Sequence, residues 1–140
     1  MSEVLIKTES EMIEYGKQLG AQSKSGDSLG LIGDLGAGKT HFTKGFALGI
    51  HCESLVTSPT FSLLHEYKGG SSCLYHFDLY RLESEMELIE IGWEDYLEID
   101  GICIVEWADK FPEIMPENMK WLEFQVLDDC VRSIREVSNP

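Results

Sequence analysis

The stretch LGLIGDLGAGKTHFTKGF, residues 29 to 46, sets five glycines around a single Lys-Thr pair. A short apolar run (Leu29, Leu31, Ile32) leads into Gly33-Asp34-Leu35-Gly36-Ala37-Gly38, and Lys39-Thr40 opens a segment of helical character. The spacing is G-x-x-x-x-G-K-[ST], a phosphate-binding loop. Its backbone N–H groups must converge on a phosphate, which calls for positive-φ turns that glycine adopts at little cost. The helix start adds its dipole and free N–H groups. Lys39 is then suited to β- and γ-phosphate oxygens, and the Thr40 hydroxyl to Mg²⁺. Average residue frequencies give a chance match of roughly half a percent in a chain this long.

The chain has 140 residues, 43% hydrophobic and 26% charged, enough for one compact domain over 1–140. Its net charge of −14 repels phosphate backbones and speaks against independent binding to nucleic acid or anionic membrane. The opening MSEVLIKTES has no apolar signal core, and runs such as Ile102 to Val105 are too short to span a bilayer. Cys52, Cys73, Cys103 and Cys130 stand far apart with no C-x-x-C pair, so they read as reduced, mostly buried thiols of a cytoplasmic protein. The four histidines show no ligand spacing for zinc.

Hydrophobic periodicity predicts a strand over 4–8, then a helix capped by Thr8 with Glu11 and carrying Met12, Tyr15 and Leu19 on one face. A buried strand over 29–33 precedes a helix from Lys39 to Leu48 stopped by Gly49. FSLLHEY (61–67) and CLYHFD (73–78) flank KGGSS as a β-hairpin. Leu82, Met86 and Ile89 define a short helix ending at Gly92. GICIVEW (101–107) is a second buried strand, Pro112 and Pro116 punctuate a loop, WLEFQVL (121–127) alternates, and a last strand runs near 131–137. The expected fold is an α/β, P-loop NTPase-like sandwich. Its mixed, mainly parallel sheet is flanked by helices, with an antiparallel hairpin and antiparallel C-terminal strands.

A nucleotide loop needs an acidic metal partner at the end of a neighbouring apolar strand. ICIVE supplies Glu106 and YHFD supplies Asp78, and the two compete for that place. One carboxylate on the ion and the other orienting the attacking water satisfies both; an N-cap or a bond to Arg81 is the structural alternative for Asp78. Trp107 reads as packing rather than ligand contact. Asp34 either faces the γ-phosphate or caps its own turn. Thr57, Ser58 and Thr60 around Pro59 are either a γ-phosphate-sensing switch or an ordinary Ser-Pro loop. With only Arg81, Arg132 and Arg135, the chain is poor in the cations of a small-molecule kinase. Neither Asn118 nor Asn139 begins an N-K-x-D motif for guanine.

The order GDLGAGKT, SPTFSLLHEY, YHFDLYRL, IGWEDYL, ICIVEW closely resembles the bacterial TsaE (YjeE) family of P-loop ATPases, over roughly residues 4 to 137. The resemblance implies Mg²⁺-dependent binding and slow hydrolysis of ATP in support of the N6-threonylcarbamoyl modification of adenosine 37 in tRNA. It implies TsaD and TsaB homologues as partners, with tRNA reached only through the complex. By position it implies phosphate contacts from Asp34, Leu35, Gly36, Ala37, Gly38, Lys39 and Thr40, with His41 beside them. Thr40 and Glu106 match the Mg²⁺ ligands, Lys39 and Asp78 the catalytic positions, and Ser58 to Thr60 the switch-like segment. Glu9, within Thr8 to Ser10, falls where the family touches adenine, and Arg132 in a segment near the nucleotide. The rival readings are a nucleotide-dependent binding module with incidental hydrolysis and a small-molecule phosphotransferase.

Overall fold

The computed structural model describes residues 3–33, 37–52, 54–57, 64–68, 70, 72–98, 100–128 and 130–138. Among the described residues eight strands form one sheet: β1 (Glu3–Ile6), β2 (Ser28–Gly33), β3 (Ser54–Thr57), β4 (Leu64–Lys68), β5 (Leu74–Asp78), β6 (Ile102–Glu106), β7 (Lys120–Val126) and β8 (Arg132–Val137). Their spatial order is β1-β8-β7-β2-β6-β5-β4-β3. The inner four, β7, β2, β6 and β5, are mutually parallel, while β8 and β4 run against their neighbours at the two flanks. The hairpin of the sequence reading is β4–β5, with Leu64 opposite Phe77 and Tyr67 opposite Leu74.

Four α-helices lie among the described residues: α1 (Glu9–Gln22), α2 (Lys39–Gly49), α3 (Glu85–Glu90) and α4 (Trp93–Glu98). β1 is shorter than the 4–8 reading because Thr8 turns the chain into α1. Its Oγ1 accepts from the Glu11 N–H at 3.0 Å, while Glu11 Oε1 accepts from the Lys7 N–H at 2.9 Å. This is the reciprocal logic of a capping box, displaced by one residue at its second bond.

The sheet separates two cores. On one face Met12, Phe42, Phe46 and Ala47 of α1 and α2 pack on Leu29, Leu31, Ile104 and Phe124. On the other, Leu88 and Trp93 of α3 and α4, with Phe111, Met115 and Met119, cover Tyr75, Phe77, Val105 and Trp121. This alternation explains why β2 and β6 carry continuous apolar runs: both faces are covered.

Three readings are corrected. Gly49 does not stop α2 but lies inside it; Ile50 is the C-cap and His51 takes the left-handed turn at φ 63°. The glycine serves packing instead. A Cβ on Gly45 or Gly49 would run into the backbone carbonyls of Ile13 or Lys17, and one on Gly16 or Gly20 into those of Phe42 or Phe46. Two Gly-x-x-x-Gly pairs thus bring α1 and α2 into backbone contact. Second, the helix placed on Leu82, Met86 and Ile89 begins only at Glu85 and buries Leu88, leaving Met86 and Ile89 exposed; Leu82 is buried ahead of it. Gly92, at φ 92°, does end that region. Third, the thiols are less uniform than expected: Cys52 and Cys103 are buried, Cys73 is half-buried and Cys130 is exposed. β3 and α4 are additions to the expected elements. Among the described residues no helix is long and apolar enough to cross a membrane.

Candidate nucleotide site

β2 ends at Gly33 with φ 134°, and α2 starts after Gly38 with φ 98°. A Cβ on Gly33 would meet the Phe124 carbonyl of β7, so glycine is required there both by backbone angle and by space. Ala37 is fully buried, anchoring the end of the loop. Asp34, Leu35 and Gly36 lie outside the described residues, as do Ser58 and Thr60. α2 has neither a side-chain cap nor an acidic residue in its first turn, whereas α1 has Thr8, Glu9 and Glu11. The dipole of α2 is therefore answered by no anionic side chain of its own first turn.

Lys39 is only 4% exposed. Its Nζ donates to the Gly33 carbonyl at 2.9 Å and lies 4.3 Å from the centroid of the Trp107 ring. The ammonium is thus turned back toward the end of β2. Trp107, read as packing, does pack on Tyr80, tilted at 52° with 5.1 Å between centroids, but it also forms a wall beside the lysine. Thr40 is exposed one residue further along α2.

Glu106 ends β6, level with Leu31 of β2 on one side and Asp78 of β5 on the other. Asp78 and Glu106 lie at the carboxyl ends of adjacent parallel strands, the edge at which open α/β sheets bind ligands. Glu106 is 7% exposed, and its Oε2 lies 2.5 Å from Nε2 of the equally buried His76. Burial is the largest influence on the Glu106 carboxyl and pushes its pKa up. The hydrogen bond and charge of His76, with the charges of Lys39 and His65, outweigh burial and hold it below its ordinary value. Asp78 is half-buried, and its Oδ1 accepts from the Tyr80 backbone N–H at 3.1 Å. This turn stabilises the chain leaving β5; the bond considered with Arg81 is replaced by one to backbone.

A cavity of about 330 Å³ adjoins the start of α2, lined by residues including Thr8, Glu9, Gly38, His41, Cys130 and Arg132. Four residues assigned to the nucleotide from the sequence, Glu9, Gly38, His41 and Arg132, thus meet at one place. His41 Nε2 and Glu9 Oε2 are 3.6 Å apart. Arg132 Nη1 donates to the Asp128 carbonyl at 3.1 Å, and Asp128 Oδ1 accepts from the N–H groups of Cys130 and Val131, building the turn that presents the arginine.

His76, His65 and Trp107 were not singled out from the sequence as site residues. The available signal for His76 was strand alternation: Leu74, His76 and Asp78 share one face of β5, so a histidine stands two residues inward of a candidate site carboxylate.

In fold class the chain is an α/β sandwich of the P-loop NTPase kind, with its glycine-bounded loop between a central parallel strand and a helix N-terminus. The family model described as "Threonylcarbamoyl adenosine biosynthesis protein TsaE" matches residues 6–135, and the chain belongs to the TsaE family. Proteins named tRNA threonylcarbamoyladenosine biosynthesis protein TsaE are similar to it. That of Bacillus subtilis (strain 168) is 44% identical over 118 residues, covering 84% of this chain and 73% of its own. That of Haemophilus influenzae is 39% identical over 130 residues, covering 89% and 82%. The crystal structure of Bacillus subtilis YdiB superposes with a TM-score of 0.80 at 34% identity, covering 99% of this chain and 86% of that one.

Proposed function

We propose that this protein binds and hydrolyses ATP with Mg²⁺ and acts in the threonylcarbamoylation of tRNA adenosine 37, in the cytoplasm, docking on TsaD and TsaB homologues in a nucleotide-dependent manner. The observation that carries the ATP reading is the buried Lys39 ammonium, turned onto the Gly33 carbonyl beside an α2 N-terminus that lacks an acidic side chain in its first turn. A neutral carbonyl is a weaker partner for an ammonium than a phosphate oxygen, so the residue is set to exchange one for the other.

The donor set also fits the magnesium ion. Among the described residues no group of three or more His, Cys, Asp or Glu side chains is arranged to hold a metal. A hydroxyl at Thr40 and an ionised carboxylate at Glu106 suit a cation that keeps several waters and takes its other ligands from phosphate. When bound, such an ion neutralises charge on the transferred phosphoryl group. Lys39 holds the β- and γ-phosphate oxygens, aided by the loop backbone at Asp34, Leu35, Gly36, Ala37 and Gly38. Asp78 orients the attacking water, and Ser58 and Thr60 belong to the segment that senses the γ-phosphate. Glu9, His41 and Arg132 line the cavity that would take the nucleoside. The charge of −14 suits a protein that reaches tRNA only through a complex supplying the basic surface.

Copurification with TsaD and TsaB homologues, scored with ATP, ADP and no nucleotide alongside phosphate release, tests this reading. Nucleotide-dependent association with partner-stimulated release of inorganic phosphate is expected. ATP binding and association without hydrolysis would make the protein a regulatory module, and labelled phosphate trapped on a metabolite would make it a phosphotransferase.

A further inference from the structure

His76 has no part in the reading above, yet it is buried on β5 against the Glu106 carboxylate of β6. It lies in the middle of β5, level with Ile104 of β6 and diagonal to Glu106, and is 7% exposed. Placing an imidazole in an apolar strand interior costs free energy unless its ring nitrogens find partners. Here Nε2 meets Glu106 Oε2 at 2.5 Å, and His65 of β4, the cross-strand neighbour of His76, lies with its ring centroid 6.0 Å away at 37°. The imidazole is thus held from behind by a second ring and in front by the carboxylate.

We infer that His76 is a positioning residue for Glu106: its Nε2–H occupies Oε2, fixes the side chain, and leaves the other carboxylate oxygen as the one presented to the Mg²⁺ ion. The inference rests on the reading of Glu106 as an ion ligand. An ionised carboxylate only accepts, so the ring nitrogen is the donor. Glu106 stands at a strand end, where three side-chain torsions would otherwise be restrained by packing alone. A ligand that must be ordered when the ion arrives binds it less tightly than one already ordered. Groups that orient a metal ligand in this way carry roughly 10–100-fold in metal affinity.

The test compares His76→Phe, which keeps ring volume and loses the donor, with His76→Gln, which loses the ring and keeps a donor near the Nε2 position. Calorimetry measures ATP affinity with and without Mg²⁺, and thermal melting reports folding. The Mg²⁺ enhancement of affinity should fall at least about tenfold in His76→Phe and stay within about threefold of the parent in His76→Gln, with metal-free affinity unchanged in both. If His76→Phe keeps the enhancement and His76→Gln loses it, the ring is only a packing element and the inference is wrong. Glu106→Gln separates the role of His76 from that of Glu106. If it abolishes the enhancement while both His76 variants retain it, Glu106 is a ligand that His76 does not position. If it leaves the enhancement intact, the assignment of Glu106 itself fails, and the role of His76 with it.

Discussion

The ammonium of Lys39 lies 4.3 Å from the centre of the Trp107 ring, and Trp107 follows Glu106 directly in the chain. The residue after β6 therefore sets an aromatic wall beside a cation whose charge also acts on the Glu106 carboxyl. Trp107 holds φ 62°, a left-handed conformation uncommon for a bulky residue, and its N–H donates to the Leu31 carbonyl of β2 at 3.0 Å. Trp107→Ala should weaken ATP binding about fivefold, the equivalent of about 1 kcal/mol for a partly desolvated cation–π contact. Trp107→Phe should recover most of that affinity. Equal affinity in all three proteins would reduce the ring to a packing partner of Tyr80.

Gly45 offers a test of the fold in which two effects have opposite signs. Alanine is a better helix former than glycine by about 1 kcal/mol, so propensity alone stabilises Gly45→Ala. The Ile13 carbonyl occupies the place of the new methyl group, and overpacking of this kind costs roughly 1–3 kcal/mol. Urea denaturation should show net destabilisation. A higher midpoint would mean that α1 and α2 are less closely packed than described.

That glycine pair also marks where the sequence stops being legible. Continuous apolar runs made β2 and β6 readable, since strands covered on both faces need no alternation. The Thr8 cap and the β4–β5 hairpin were legible through local chemistry. Gly49 is ambiguous in sequence because a glycine ending an apolar periodic segment looks the same whether it caps a helix or lets a second helix approach. Met86 and Ile89 mislead because six residues of helix are too few for a period to fix its phase, and Leu88 took the core. Around the candidate site, Gly33 and Gly38 at the bounds of the loop and the two acidic strand ends stand where spacing put them. His76 was not legible, because a lone histidine in an apolar strand acquires meaning only from the Glu106 carboxylate diagonal to it on β6, and that contact is long-range.

Asp78→Asn probes the proposed division between ion ligand and water-orienting group. The amide oxygen of asparagine can still accept from the Tyr80 N–H, so the turn after β5 should persist and melting should be unchanged. Mg-ATP affinity should stay within about threefold, while partner-stimulated hydrolysis falls by about a hundredfold or more, as for loss of a general base. A collapse of affinity together with hydrolysis would assign Asp78 to the ion. No change in either would leave it a structural cap.

Burial pushes the Cys103 thiol up to about 12. The unfolded chain ionises this group near pH 8.5 and the folded chain does not, so from there to about 12 the folded state binds more protons. Stability from this group is present in full below that range and is lost as pH rises, with a limiting slope of about 1.4 kcal/mol per pH unit. Tyr15, Tyr67 and Tyr96, raised chiefly by burial, add in the same direction above pH 10. Denaturation midpoints at pH 8 and 10.5 should differ less in Cys103→Ala than in the parent. An equal difference would show that Cys103 does not drive the alkaline loss.

The most direct measurement is calorimetric titration of Mg-ATP into the parent and Lys39→Ala, with melting of both proteins alongside. Each charge-assisted bond from the Lys39 ammonium to a phosphate oxygen is worth about 1.5–3 kcal/mol. The bond from Lys39 to the Gly33 carbonyl is local, six residues apart in the chain, so the fold should survive. Saturable binding to the parent is expected, with affinity at least about tenfold weaker in Lys39→Ala and both proteins folded. Equal affinity in two folded proteins would contradict the assignment of this loop to phosphate, and with it the reading of the site as an ATP site.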